Sequence, residues 1–328
     1  MNQTLAELTE AELLRRLARF APPDQLSDDT AALAADPRPL LINTDVLVDG
    51  IHFSDATTTA MDVGWRAVAA NLSDLAASGA VAVEGITVAL VAPGRTSWDW
   101  VDGVYQGISA ALRQYGGILL GGDCSQGEQR LLSITALGRL GPLRLHRNGA
   151  RPGDVLVTTG PHGLSRLGLA LLQDDPCVRD IALSSTLRDQ AIARHRRPTP
   201  RLDDVQQLLA CKPEQLPWRA GGTDSSDGLL SAVAGLCLSS GCGAVLENDQ
   251  LPVTQGWPEG TAWEEWCLAG GEDFELVLSL PKAWADVWQE CMPNSHRIGW
   301  INAEAGIIRW AHNHAKLNAR GFDHFSQP

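Results

Sequence analysis

Thr223-Asp224-Ser225-Ser226-Asp227-Gly228-Leu229 sets two carboxylates three residues apart among hydroxyl side chains and a glycine. Four upstream segments run an apolar or small-residue stretch into an aspartate in the same way: Ser27-Asp28-Asp29, Asn43-Thr44-Asp45, Asn71-Leu72-Ser73-Asp74 and Gly121-Gly122-Asp123. Carboxylates beside Gly, Ser, Thr and Asn suit turns that present oxygen ligands to a hard cation. Mg²⁺ takes oxygens in near-octahedral order and shares them between carboxylates, water and substrate phosphates. One such turn is ordinarily a helix cap or a tight turn. Five point to a polyanion bound through several metal ions, with Asp29, Asp45, Asp74, Asp123, Asp224 and Asp227 supplying the carboxylates. Phosphoryl transfer fits this set. A triphosphate beside a phosphorylated acceptor repels strongly at contact distance, and bridging Mg²⁺ cancels that repulsion while holding donor and acceptor in line.

Composition narrows the class. At 328 residues the chain exceeds the usual single core, so two domains are expected. A hydrophobic content of 44% with 32 glycines and 18 prolines reads as a globular, loop-rich α/β protein. No apolar run approaches a transmembrane span, and the first twenty residues form an acidic helical pattern without a cleavage site, which places the protein in the cytoplasm. The formal charge of −13 argues against a nucleic-acid surface. Of 26 basic residues only Lys212, Lys282 and Lys316 are lysine, leaving 23 arginines, whose forks suit phosphate. Genomic base composition is the preferred account of that bias, since arginine enrichment alone names no site. No lysine precedes Lys212, which removes the P-loop and the eukaryotic-kinase glycine loop with its strand lysine. Seven scattered cysteines without a Cys-x-x-Cys pair read as reduced thiols, not a zinc site.

The elements that must position the aspartates follow from periodicity. Met1 to Phe20 carries a helical pattern. A short strand from Leu40 ends at Asp45, residues 62–79 form a helix closed by Gly79, and Val81–Val91 is a strand. Trp98–Tyr115 is an amphipathic helix with Val101, Val104, Ile108, Ala111 and Leu112 inward. Ile118-Leu119-Leu120 is a strand that stops at Gly121-Gly122-Asp123, and Leu131–Leu140 is the next. Strand and helix alternate here as in an α/β or ferredoxin-like layer. A turn-rich segment at 147–154 marks a boundary, giving an N-terminal domain over 1–145 and a C-terminal α/β domain over 146–328. The second domain opens with a strand at Val155, has helices at 163–173, 182–194 and 228–240, and later strands at 275–280 and 296–300.

Several segments, in order, closely resemble the thiamine-monophosphate kinases: Asn43-Thr44-Asp45, Val48-Asp49-Gly50-Ile51-His52-Phe53, Ala69-Ala70-Asn71-Leu72-Ser73-Asp74-Leu75-Ala76 and Gly121-Gly122-Asp123. So do Arg147-x-Gly149-Ala150-Arg151-Pro152-Gly153-Asp154, Pro198-x-Pro200-Arg201, Asp224-x-Ser226-Asp227-Gly228-Leu229 and Gly270-Gly271-Glu272-Asp273-Phe274-Glu275-Leu276. The motifs run from about residue 27 to Gly321-Phe322-Asp323, nearly the whole chain. The resemblance implies ATP-dependent phosphorylation of thiamine monophosphate to thiamine diphosphate, the last step of thiamine diphosphate biosynthesis, by direct in-line transfer with Mg²⁺. It also implies the two-domain fold shared with aminoimidazole-ribonucleotide synthetase: a ferredoxin-like N-terminal domain for ATP, Mg²⁺ and dimerisation, and a C-terminal domain that completes the nucleotide and substrate site. A homodimer is implied as well.

By the same resemblance Asp29, Thr44, Asp45, Asp74, Asp123, Asp224 and Asp227 match Mg²⁺ ligands. Gly122, Asp123, Arg147 and Ser226 match ATP contacts, and His52, Glu272 and Phe322 match substrate contacts; Asp227, Asp123 and Arg147 carry catalysis. Plainer readings stand beside these. His52 could cap a strand end, Glu272 could be a helix-start carboxylate, and Phe322 an apolar anchor in place of a ring stacked on the cationic thiazolium. Ser27, Cys124, Ser225 and Phe274 depart from the pattern without removing a carboxylate. Selenophosphate synthetases resemble the layout but need a reactive N-terminal Cys or selenocysteine, whereas no Cys precedes Cys124; the hydrogenase-maturation relative ends in a functional cysteine, whereas this chain ends Ser326-Gln327-Pro328. A catalytically silent thiamine-phosphate or nucleotide sensor is the alternative from another class.

Overall fold

The structure, a computed structural model, describes residues 3–318. The chain divides into two compact units, Met1–Leu75 with Ala80–Leu140, and Ala76–Gly79 with Gly141–Pro328.

In the first unit the N-terminal helical pattern is split. A 3₁₀ turn at Leu5–Glu7 precedes α1 (Glu10–Leu17), and a second turn follows at Ala18–Phe20. Thr9 causes the break: its backbone is extended and its hydroxyl accepts the Glu12 N–H at 3.3 Å, which starts α1. The unit then runs β1 (Leu40–Val48), α2 (Ala60–Ala77), β2 (Ala80–Ala92), α3 (Trp98–Tyr115), β3 (Ile118–Gln126) and β4 (Leu131–Leu140). The sheet order is β1-β4-β2-β3, with β4 antiparallel to β1 and β2, and β3 parallel to β2.

Helices α2 and α3 cross closely because Gly64 and Gly107 lack a Cβ. One at Gly64 would lie 1.9 Å from the Val104 carbonyl oxygen, and one at Gly107 1.9 Å from that of Met61. On the helix side of the sheet, Ile86, Val88, Leu90, Leu132 and Ile134 are buried. The other face keeps Leu40, Ile42, Val46 and Ile118 exposed, Ile42 by 67%.

Two strands overrun the ends expected of them. β1 continues past Asp45 to Val48 along an unbroken ladder with β4, and β3 continues through Gly121-Gly122-Asp123 beside β2. Ladder pairing outweighs the low strand propensity of Asp, Asn and Gly. Asp45 and Asp123 are therefore strand residues and Asp74 lies in the last turns of α2, so the expected turns are corrected at these three positions.

The second unit holds a seven-stranded sheet, β11-β10-β7-β9-β5-β8-β6. Its strands are β5 (Val155–Thr158), β6 (Gly221–Asp224), β7 (Gly243–Leu246), β8 (Leu276–Leu280), β9 (His296–Asn302), β10 (Ile308–Trp310) and β11 (Lys316–Leu317). Its helices are α4 (Leu164–Leu172), α5 (Pro176–Arg179), α6 (Ser185–Arg196), α7 (Leu202–Ala210), α8 (Leu229–Ser240), α9 (Thr261–Ala269) and α10 (Lys282–Cys291). Every residue of β5, β6, β7 and β8 is buried. Alternation is then absent, which is why β6 and β7 escaped the periodicity. Leu229, Val233 and Leu236 of α8 form one core with Leu246, Val277 and Ile298. Among the described residues no helix is long and apolar enough to cross a membrane.

Candidate active site

In the first unit β1 and α2 bring Asp45 and Asp74 into one polar patch. Asn43 Nδ2 donates to Asp74 Oδ2 at 3.1 Å and to Asn71 Oδ1 at 3.2 Å, and the Asp45 N–H also donates to Asn71 Oδ1 at 3.2 Å. Asn71 is fully buried, and its own Nδ2 donates to the Ala67 carbonyl at 2.8 Å. Asn43 and Asn71 thus fix the geometry. Their presence in the quoted segments was the available signal, yet neither ranked as a site residue.

Thr44 points the other way. Its hydroxyl bonds that of Thr135 at 2.8 Å on the open face of the sheet. The Asp49 N–H donates to the Arg130 carbonyl and the Leu140 N–H to the Pro39 carbonyl, so odd-numbered backbone groups of β1 face β4. Even-numbered Thr44 turns its carbonyl to the sheet's free edge.

Asp123 is not brought to Asp45 within this unit. Asp45 pairs with Ile134, Ile134 with Val88, and Val88 with Gly122. Three strand spacings separate the two edges, about 14 Å. Asp123 pairs with Ala89 and so shares the open face, opposite buried Val88. Gly122 must be glycine, since a Cβ would fall 2.0 Å from the Val88 carbonyl oxygen. The thiol of Cys124 lies against Tyr105, and burial pushes its pKa up to about 11, far from a reactive thiolate. Asp29 lies exposed in a bend, its N–H held by Asp28 at 2.8 Å. His52 Nδ1 accepts the Val48 N–H at 3.0 Å, which anchors its ring at the end of β1. A cavity of about 680 Å³ nearby is lined by Asp49, Asp55, Arg95, Trp100, Glu128 and Arg130, and by none of the expected metal ligands.

In the second unit the expected residues converge on the end of β6. Asp224, 5% exposed, accepts the Ser226 hydroxyl at 3.3 Å, while Asp227 is exposed ahead of α8. Arg147 Nε donates to Thr223 Oγ1 at 3.1 Å, which sets the guanidinium beside this loop. The Glu272 N–H donates to the Ser226 carbonyl at 2.7 Å, the Ser225 N–H to the Glu275 carbonyl at 2.9 Å, and the Glu275 N–H to Ser225 Oγ at 3.1 Å. Loops 224–228 and 270–275 are therefore clasped together. Ser225, which stands where an apolar residue is usual, earns its hydroxyl in this clasp.

Glu272 is not at a helix start. It follows the end of α9 and takes a left-handed backbone with φ +56°, as does Phe274 with φ +53°. Such backbone is costly away from glycine and persists where surroundings impose it. Here Asp273 imposes it: its carboxylate accepts the Gly163 and Ser165 N–H groups at the start of α4, at 2.6 and 2.9 Å. Glu275, fully buried, accepts from Arg194 at 3.0 Å, from Thr159 Oγ1 at 2.5 Å and from Arg201. Burial alone would raise its pKa, but the Arg201 and Arg194 guanidiniums outweigh burial and hold the carboxylate below its ordinary range. Asp154 likewise takes a bidentate Arg219 at 2.6 and 2.8 Å and the Ser279 hydroxyl at 2.8 Å. Much of the charge in the quoted motifs is thus structural. Phe322 lies outside the described residues.

Among the described residues no three His, Cys, Asp or Glu side chains gather closely enough to cage a metal ion. The carboxylates stand singly or in pairs with amide and hydroxyl oxygens. That is a donor set which leaves positions for water and phosphate.

Comparison with known proteins places the chain. Residues 27–140 match the family model of the AIR synthase related protein, N-terminal domain. A thiamine-monophosphate kinase of Prochlorococcus marinus is 51% identical over 326 residues, spanning 99% of this chain and 98% of the relative. One of Synechococcus elongatus is 43% identical over 330 residues, spanning 99% of each. The solved structure "AaThiL complexed with AMPPCP and TMP" superposes with a TM-score of 0.76 at 27% identity, covering 99% of this chain and 100% of that one.

Proposed function

Because this chain belongs to the thiamine-monophosphate kinase family, we propose that it transfers the γ-phosphoryl group of ATP to thiamine monophosphate, yielding thiamine diphosphate and ADP. The observation that carries this reading is identity along the full chain to relatives of that activity. The solved neighbour bound to AMPPCP and TMP supports the pair of substrates.

The nucleophile is a phosphate oxygen of thiamine monophosphate, already ionised near neutral pH, so the chain supplies no general base. Its contribution is placement and charge neutralisation. Asp45, Asp74 and the Thr44 carbonyl, with Asp29 and Asp123, would hold Mg²⁺ in the first unit, and Asp224 and Asp227 would do so in the second. Bound Mg²⁺ offsets the repulsion between nucleotide and acceptor phosphates. Arg147, set beside β6, adds a positive fork for the ATP phosphates and Ser226 is the second unit's other nucleotide contact; Gly122 is the nucleotide contact of the first unit. Glu272, held by the clasp between its loop and Ser226, is the second unit's substrate contact and receives the pyrimidine amine, and His52 is that of the first unit.

The protein acts as a homodimer in the cytoplasm. Support for dimerisation is the exposed apolar face carrying Ile42, Val46 and Ile118, which also carries Asp123. Support for a reducing compartment is that all seven cysteines are free thiols.

ADP release from MgATP tests the reading, measured with thiamine monophosphate, with thiamine and without acceptor, each with and without EDTA. Release that needs both thiamine monophosphate and Mg²⁺ is expected. Turnover on thiamine alone would reassign the acceptor, and no release from folded protein would favour a ligand sensor.

A further inference from the structure

His195 lies on α6 with its side chain 4% exposed, and its Nδ1 stands 4.0 Å from Glu272 Oε2. The Ser165 hydroxyl is 3.3 Å from the same nitrogen. Ser165 in turn donates its backbone N–H to Asp273, the residue after Glu272. Close packing fixes the imidazole, because Gly168 of α4 admits α6 so tightly that a Cβ there would meet His195 Cβ at 2.8 Å. The Glu272 backbone is pinned separately, by its N–H bond to the Ser226 carbonyl.

An ordinary core histidine has no reason to end beside a one-third exposed carboxylate whose backbone is strained into position. We propose that His195 is a positioning residue for acceptor recognition, aiming the Glu272 carboxylate at the aminopyrimidine of the substrate. The inference rests on the reading of Glu272 as a substrate contact. Ser165 holds the ring, the ring holds the carboxylate, and the carboxylate receives the amine. The 4.0 Å separation is van der Waals contact, beyond the reach of a hydrogen bond. His195 therefore sets the carboxylate's orientation without competing for the oxygen that accepts the amine.

Steady-state kinetics on His195→Leu and His195→Asn test this, with thiamine monophosphate and with oxythiamine monophosphate, whose pyrimidine amine is replaced by oxygen. The leucine variant should raise KM for thiamine monophosphate about 10-fold, the scale of one charged hydrogen bond, with KM for ATP unchanged. Asparagine, which returns a polar group near Nδ1, should restore most of the loss. With oxythiamine monophosphate the penalty should vanish. Equal losses on both acceptors, or on both ATP and acceptor, would overturn the proposal in favour of simple core packing. If the leucine variant does not fold, His195→Asn and Ser165→Ala carry the same comparison, each with a smaller rise confined to thiamine monophosphate. Glu272→Gln separates the two levels of inference. An unchanged KM there refutes the Glu272 contact and this proposal while leaving the kinase reading intact. A wild type without thiamine-monophosphate-dependent turnover overturns both.

Discussion

Replacing Glu275 with glutamine should destabilise the second unit by about 3 kcal/mol, the lower end of the cost of breaking a buried ion pair. Glu275 is fully buried, and it faces two guanidiniums, Arg194 and Arg201. Removing its charge leaves both without their counter-ion, which argues for a large effect. Two features moderate it. Each arginine side chain is 17% exposed and regains some hydration, and glutamine keeps an acceptor for the Thr159 hydroxyl. Against a typical domain stability of about 5–15 kcal/mol the loss remains a large share. Urea unfolding followed by tryptophan fluorescence is the assay, since eight of the eleven tryptophans lie in this unit. The midpoint should fall by about 1–2 M at an unchanged slope. Arg201→Met, which leaves Glu275 with Arg194, should cost about half as much. Because Glu275 anchors the loop bearing Glu272, KM for thiamine monophosphate should rise in both variants. A Glu275→Gln loss below about 1 kcal/mol at unchanged slope would refute the argument, because it would mean the cluster is solvated or the charge unneeded.

Asp227→Asn should lower kcat about 100-fold in a protein that still folds, by analogy with deleting one electrostatic stabiliser; wild-type turnover in the ADP assay would remove Asp227 from the metal set. His162 is fully buried, and burial pushes its pKa down to about 4, opposed by the Glu275 carboxylate and reinforced by His296 and Arg194. Its folded pKa lies below the ordinary value of 6.5, so its stabilisation is complete above that value and is lost as pH falls toward 4. The drop in melting temperature between pH 7 and pH 5 should accordingly be smaller in His162→Gln than in wild type. An identical drop would assign the acid sensitivity elsewhere. Ile42→Asp places a charge at the centre of the exposed apolar face. It should convert the proposed dimer to a monomer in light scattering; a variant that stays dimeric would place the interface on another surface, and a monomeric wild type would refute the dimer.

Periodicity located α3 to the residue and β4 likewise, because one face of each is buried and the other wet. It missed β6 and β7, which are buried on both faces and carry no alternation. It ended β1 and β3 at their aspartates, because local propensity is silent about a neighbouring strand that continues the ladder. The site shows the same division. The aspartates and their glycine and hydroxyl neighbours were legible as an oxygen-rich phosphate chemistry. Their partnerships were not: Asn43 and Asn71 organise Asp45 and Asp74, and Asp273 and Glu275 act as anchors beside Glu272.

By itself the sequence determined the chemistry and the family, since donor types and their order are properties of the chain. Only the tertiary structure decided that Thr44 turns its hydroxyl away from Asp45, that Asp123 stands on the far edge of the same sheet, and that His195 sits beside Glu272. Strand pairing and helix packing join residues tens of positions apart, and no local pattern in the chain encodes which neighbour each will meet.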